Sequence, residues 1–369
     1  MIRNTKIPHS VRIILTDRCN LNCTFCLMDA GQKRVQDELK TEDWFRFFAR
    51  LKALQVFNVS LSGGEILLRD DLLLLLQKLR DNRMHKISLL TNGTLINDDI
   101  ASQLYQLNIK SIAISLDGLE ESHDQIRGKG AFVKTMAGIQ RLIGAGIIPE
   151  ITFTPTKSNY RDLGPLLDFV APLGVKIFHV NTLTPEGRCL HIYKEIMMDF
   201  PRQIKEVLDV IEEKKKMYSQ IKINCSLGFY YYLPESYTYF KENPQNYQMK
   251  HLKDGCGAAS TSCVIMPNGD MVPCEGFSNF VGGNIREKDL LEIWGQAECF
   301  KTIRDLSLIS MDQSPFCKEC RYLYICDGGC RATAYLIHKD LRAPAITCPY
   351  WKAESGSIVY NDAREQTVG

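Results

Sequence analysis

The 369-residue sequence has no apolar run long enough to cross a membrane. Its longest leucine run, Leu72 to Leu76, lies between Asp70-Asp71 and Gln77-Lys78. That is far short of the roughly 20 residues a spanning helix needs, and it predicts a buried helix instead. The opening residues, MIRNTKIPHSVRIILTD, hold no long apolar segment of the kind a secretory signal requires. An excess of charge is also missing. Lys and Arg number 45 against 43 Asp and Glu, a net charge of +2, which gives no electrostatic case for nucleic acid. No repeat of solenoid period is visible, and no low-complexity linker. The expectation is a cytoplasmic protein with neither membrane nor nucleic acid as partner.

Cysteine, by contrast, is plentiful. Fourteen cysteines in such a chain argue for a reducing compartment, where clustered thiols bind metal or do redox chemistry more often than they cross-link. Cys19, Cys23 and Cys26 form a C-x-x-x-C-x-x-C set just after the apolar run Val11 to Leu15. Three thiolates can hold three irons of a four-iron cluster and leave the fourth open, whereas inert clusters take four thiolates. C-x-x-C is also a zinc spacing. No His lies near enough in sequence to complete a local zinc site, but spacing alone leaves both metals open. A second array follows: Cys256, Cys263 and Cys274, then Cys317-x2-Cys320-x5-Cys326-x3-Cys330, then Cys348. It too reads as metal-binding, zinc or iron–sulfur.

The first half of the chain alternates strand and helix. Strands are expected near 11–16, 57–62, 87–91, 111–116, 151–155 and 176–183. Helices are expected near 41–54, 70–80, 98–107, 132–145 and 160–173. Repeated βα units predict parallel strands with right-handed crossovers. Six units in this length fit a partial barrel rather than the eight-unit form. Residues 188–250 break the rhythm with a charged helix, whose run Glu212 to Lys216 reads as a solvated face. An aromatic stretch from Phe229 to Phe240 follows and reads as a packed bridge. VIMPNGDMVPC predicts a hairpin turning at Pro267-Asn268-Gly269. Cys189, Cys225 and Cys299 read as buried thiols.

The motif C19-NLN-C23-TF-C26 after a strand resembles the signature of radical S-adenosylmethionine enzymes. Gly63-Gly64-Glu65, Thr91-Asn92-Gly93, Ser115-Leu116-Asp117-Gly118 and the segment Asn181 to Arg188 each follow a strand in the same order. The later cysteines resemble the seven-cysteine pattern of SPASM domains, as does Gly283 to Trp294 between their two halves. The resemblance implies an α/β fold, a partial (β/α)6 barrel followed by a small cysteine-rich α+β domain with a β-hairpin. Its parts would be a core at 1–187, a bridge at 188–250 and a SPASM domain at 251–369. It implies S-adenosylmethionine and three [4Fe–4S] clusters. The first would sit on Cys19, Cys23 and Cys26. One auxiliary cluster would take Cys256, Cys274 and Cys330, with Cys263 as a further ligand, and the other Cys317, Cys320, Cys326 and Cys348.

The cofactor would be contacted by Gly63, Gly64, Glu65, Asn92, Ser115, Asp117 and Arg127. Ile66 stands where the family usually has proline. Arg188 would fix the barrel rim, and Glu275 would act as a base beside an auxiliary cluster. The implied activity is reductive cleavage of S-adenosylmethionine and hydrogen abstraction from a peptide or protein side chain. A maturase of a small cofactor precursor is the alternative, and a non-catalytic iron–sulfur or zinc protein a further one. An external flavodoxin- or ferredoxin-type donor would supply electrons, and a separate protein could present the peptide.

Overall fold

The computed structural model describes residues 5–31, 37–199, 202–226, 256–306, 311–320, 323, 328–345, 348, 351–352 and 357–358. The described parts of 3–227 and 257–304 make one compact unit, and Cys256 with those of 305–369 a second. Cys326 and the aromatic stretch 229–240 lie outside the described residues.

The larger unit is built on one sheet. Its strands are β1 Ser10–Ile14, β2 Asn58–Ser62, β3 Lys86–Thr91, β4 Ser111–Ser115, β5 Glu150–Phe153, β6 Ile177–Val180, β7 Lys222–Cys225, β8 Ser262–Ile265, β9 Asp270–Val272 and β10 Gly283–Asn284. Each of the six expected strands starts within one residue of its expected position. The order is β10-β9-β8-β1-β2-β3-β4-β5-β6-β7, and β1 to β7 are all parallel. This is the expected open β/α barrel. Two strands of this sheet were not expected: β7, which adds parallel to β6 within the segment where the βα rhythm breaks, and the two-residue β10, antiparallel to β9.

Strand alternation assigns the two faces of the sheet. Val11 and Ile13, Val59 and Leu61, Ile112 and Ile114, and Phe178 and Val180 are all buried under the helices. The alternate positions, among them Ser60, Ser88, Ser115, Thr152 and His179, are half-exposed on the inner face.

The helices follow the usual periodicity of an amphipathic surface helix. In α1, Thr41–Ala53, the buried residues are Trp44, Phe47, Phe48 and Leu51. The leucine run falls in α2, Leu72–Asp81, where Leu72, Leu75, Leu76 and Leu79 are buried but Leu74 faces solvent; only one side of it is core. In α3, Asp98–Gln106, Asn97 caps the N-terminus by accepting from the Ile100 amide at 2.8 Å. A short helix, α4 Glu120–Arg127, precedes α5 Ala131–Gly144, and α6 Leu163–Val170 follows β5.

Two helices, α7 Cys189–Ile196 and α8 Arg202–Met217, follow the sixth strand. Within α8 the run 212–216 is solvated except at Lys214. That side chain is buried because its Nζ reaches both Asp168 oxygens, at 2.7 and 2.8 Å. Cys189 is buried as expected, whereas Cys225, at the end of β7, is exposed and Cys299 intermediate.

The hairpin β8–β9 forms as expected, and β8 also pairs in parallel with β1. Cys263 of the second cysteine segment thus lies on the barrel's own sheet. Ile14, Val264 and Val272 share one apolar cluster. Asn284 holds the turn, its amide donating to the Asn268 carbonyl and to Asp270, each at 3.0 Å. The helix α9, Leu290–Gln296, buries Trp294, whose Nε1 donates to the Thr5 carbonyl at 2.9 Å.

Candidate active site

The three cysteines lie on the loop that leaves β1, at the end of the sheet where the expected active site falls. Backbone contacts fix this loop from several sides. The Cys19 amide donates to the Gly31 carbonyl at 2.8 Å, and the Thr24 amide to the Ile126 carbonyl at 2.9 Å. Arg188 clasps it: its amide donates to the Cys26 carbonyl at 3.0 Å, its Nε to the Cys23 carbonyl at 3.0 Å and its Nη2 to the Ala30 carbonyl at 2.9 Å. Gly187, at a positive φ of 54°, has no room for a Cβ, which would sit 2.5 Å from the Cys26 carbonyl oxygen. The expectation that Arg188 fixes the rim therefore gains a definite form, a clasp on the cysteine loop.

Gly63 and Gly64 meet the same loop. The Gly64 amide donates to the Thr16 carbonyl at 2.7 Å and the Glu65 amide to the Arg18 carbonyl at 2.8 Å. A Cβ on Gly63 would lie 2.6 Å from the Thr16 carbonyl oxygen, and one on Gly64 2.2 Å from that of Arg18. The close approach these glycines permit is therefore first an approach to the cysteine segment itself.

Glu65 is fully buried. Its Oε1 accepts from the Thr91 hydroxyl at 2.7 Å and the Leu67 amide at 3.1 Å, and its Oε2 from the Asn92 amide at 2.8 Å. Burial pushes this carboxyl above its ordinary pKa while the three donors pull it back. The bond from Leu67 caps a 3-10 turn over Ile66–Leu68. Asn92 is also tied down, its Nδ2 donating to Asn20 at 2.9 Å and its Oδ1 accepting from the Thr94 amide at 2.9 Å. Ser115 keeps its hydroxyl on the half-open inner face, 3.4 Å from that of Thr152. Asp117 is buried and pairs with Arg127, whose Nε and Nη2 reach its Oδ2 at 2.7 and 2.6 Å.

The cysteine sulfurs suit a cluster. Burial raises the Cys19 thiol to about 11 and raises that of Cys23 as well, so thiolates at these two positions need a positive centre to hold them. Each sulfur also meets an N–H donor. The Leu21 amide lies 3.4 Å from Cys19 Sγ, the Ala30 amide 3.4 Å from Cys26 Sγ, and Arg127 Nη1 3.8 Å from Cys23 Sγ. Among the described residues no three His, Cys, Asp or Glu side chains converge on a single ion. A cluster does not require that, because it takes each thiolate on a different iron.

Of the later cysteines, Cys263 is fully buried on β8 and paired in register with Val11, and burial pushes its thiol up. Cys274 follows β9 and is half-buried. In the smaller unit Cys256 and Cys330 are exposed, Cys317 is buried, and Cys320 and Cys348 are intermediate. Cys317 packs with Met311 and Leu323, and Cys320 lies against them. Glu275 is held by Arg12 of β1, Nη1 to Oε1 at 2.6 Å.

Three features were not legible in the motifs. Glu186 is raised to about 7, by burial and then by the charge of Glu275. His123 accepts from the Asp117 amide at 3.1 Å, and burial followed by Arg127 pulls its imidazole down to about 4. Asn159 donates to the Asp117 carbonyl at 3.0 Å. His123 stands one helical turn before Arg127, the i, i+4 spacing that places both on one helix face; that spacing was the available signal.

A β/α barrel with three cysteines and a glycine pair meeting at its strand ends defines a barrel enzyme that works through a cysteine-held group. The comparisons name the class. The model of the radical SAM superfamily matches residues 13–170, and that of an iron–sulfur cluster-binding domain, SPASM, matches residues 256–321. The AdoMet-dependent heme synthase of Methanosarcina barkeri is 30% identical over 95% of this chain and 99% of its own length. The mycofactocin maturase MftC of Mycolicibacterium smegmatis is 26% identical over 90% of this chain and 81% of its own. In structure, SuiB of Streptococcus suis bound to S-adenosylmethionine superposes with a TM-score of 0.73 at 21% identity, covering 93% of this chain and 77% of that one. The chain belongs to the radical SAM superfamily and carries a SPASM domain; it is an enzyme of that family.

Proposed function

We infer that this enzyme reductively cleaves S-adenosylmethionine and uses the resulting 5′-deoxyadenosyl radical to take a hydrogen atom from a peptide or protein side chain, leading to crosslinking, oxidation or epimerisation. The observation that carries the reading is the convergence of Cys19, Cys23 and Cys26 with the Gly63–Glu65 segment, each sulfur meeting an N–H. Cys19, Cys23 and Cys26 would hold a [4Fe–4S] cluster, which when bound would supply the electron for the cleavage. The protein's own residues hold and orient. Gly63 and Gly64 lock the cysteine loop to the second strand, while Glu65 and Asn92 brace it from the third. Ser115, on the inner face, is the proposed contact to the cofactor's ribose.

The functional parts proposed are the core 1–187, the bridge 188–250 and the SPASM domain 251–369. The SPASM cysteines, with Cys326 and Cys263 among them, are proposed to hold two auxiliary clusters. Glu275 is proposed as a proton acceptor at the barrel mouth. Its pairing with Arg12 would have to open for that role. A flavodoxin- or ferredoxin-type protein is the proposed electron donor, and a separate protein the proposed presenter of the peptide.

MftC and the SuiB structure with its precursor peptide SuiA support a peptide. The near full-length match to a heme synthase favours a second reading, oxidative decarboxylation of a tetrapyrrole or similar precursor. Deuterium-labelled candidates separate the two. The anaerobic enzyme should move deuterium into 5′-deoxyadenosine from a labelled peptide and not from a labelled tetrapyrrole. The reverse result would establish the second reading.

A further inference from the structure

The three sulfurs of the cysteine loop are not equivalent. Cys19 and Cys26 each meet a neutral backbone amide, whereas Cys23 meets a guanidinium. That guanidinium is built in. Arg127 is the last residue of α4, and the adjoining Ile126 carbonyl accepts from the Thr24 amide at 2.9 Å, which keeps the end of α4 in step with Cys23.

Asp117 takes two of the Arg127 nitrogens on its Oδ2 and is itself held on three further sides. The Thr154 amide donates to its Oδ1 at 2.8 Å, Asn159 donates to its carbonyl, and its amide donates to His123 Nδ1. The carboxylate has little freedom to turn toward a ligand, and the one nitrogen of Arg127 left over faces Cys23. Hydrogen bonds to cluster sulfurs and nearby charge are among the protein's means of setting a cluster's potential. A cation favours the reduced, more negative form, and its paired anion opposes it.

We propose that the Asp117–Arg127 pair sets the reduction potential of the cluster on Cys19, Cys23 and Cys26, with Arg127 acting as a positioning donor to the Cys23 sulfur. This rests on the iron–sulfur reading above. It differs from a role for Arg127 as partner of the methionine carboxylate alone, which would alter cofactor affinity and leave the potential in place. The two members of the pair must also act in opposite directions. Removing the cation, Arg127→Gln, makes the cluster harder to reduce. Removing the anion while keeping the cation, Asp117→Asn, makes it easier. A brace that only held the loop would shift both variants the same way.

The experiment is an anaerobic redox titration of the full reconstituted chain. It follows the electron paramagnetic resonance signal that changes on adding S-adenosylmethionine. At fixed potential the reduced-to-oxidised ratio should fall on the order of tenfold in Arg127→Gln, a shift of ~59 mV for one electron, and rise in Asp117→Asn. Pulsed measurements on chain carrying 15N-arginine should show an arginine nitrogen coupled to the reduced cluster in wild type and not in Arg127→Lys, which separates it from Arg188 on the same loop and decides the matter if either charge variant fails to fold. Two unshifted variants, two shifts of the same sign, or no arginine coupling overturn the proposal. If no signal responds to S-adenosylmethionine in wild type, it is the enzyme assignment itself that fails.

Discussion

At the scale of single residues, the glycine pair and one carboxylate yield the sharpest tests. Gly64→Ala drives a methyl into the Arg18 carbonyl, so it should destabilise the protein by about 1–3 kcal/mol, the usual cost of overpacking, and lower iron incorporation. Gly31→Ala meets nothing within 4 Å and serves as the control in the same loop; its melting temperature and iron content should match wild type. If the two alanine variants behave alike, the locking role of Gly64 is wrong.

Glu186 gives a pH dependence. Its carboxyl rises from 4.5 to about 7 in the fold, so the folded state favours the neutral form. The stability this contributes is complete below pH 4.5 and is lost as pH rises through about 7. Glu186→Gln stays neutral throughout. Thermal unfolding should therefore show the variant more stable than wild type at pH 8 and closely matched at pH 5. A difference that is constant across that range would contradict the assignment.

At the scale of elements, the packing around α9 is where the hairpin region gains its stability. Phe300 is fully buried and meets Trp294 edge-on at 5.6 Å between ring centres. Phe300→Ala should cost about 3–5 kcal/mol, read as a lower denaturant midpoint. A cost below 1 kcal/mol would mean that this packing is not holding the region.

The parallel strands were legible in the sequence because each pairs a buried β-branched or aliphatic alternation with a turn motif at its end, as Val59 and Leu61 do before Gly63. The hairpin at 262–272 was legible from Pro267-Asn268-Gly269 for the same local reason. Its pairing with β1 was not, because a strand's partner some 250 residues away leaves no trace in local spacing. β7 was missed because only Ile223 of Lys222–Cys225 is buried, which leaves no apolar alternation to stand out. At the site, the cysteines and the Gly-Gly-Glu segment were readable from type and spacing. What was not readable was direction: whether Glu65 and Asp117 face a ligand or their own fold depends on Thr91, Thr154 and Asn159, whose partners no local spacing reveals. Lys214 shows the same limit, a charge in a charged run that is buried because Asp168 meets it from another helix.

At the scale of the whole molecule, the barrel carries a cysteine loop at its strand ends, and its own sheet includes the β8–β9 hairpin of the SPASM segment. No helix among the described residues is long and apolar enough to cross a membrane. The chain matches an AdoMet-dependent heme synthase over nearly the whole of both chains and a mycofactocin maturase over most of each, so relatives of different names share one scaffold; what is proposed for this chain with either substrate is the cleavage at the cysteine loop. That cleavage is the central claim, and it can be measured without knowing the substrate. The full chain, reconstituted anaerobically with iron and sulfide, is incubated with S-adenosylmethionine and a strong reductant, and 5′-deoxyadenosine and methionine are counted. The wild type should form both in equal amounts, and the Cys19→Ala, Cys23→Ala, Cys26→Ala triple variant should form neither. A wild type that yields no 5′-deoxyadenosine, or a triple variant that yields as much as wild type, would contradict the account.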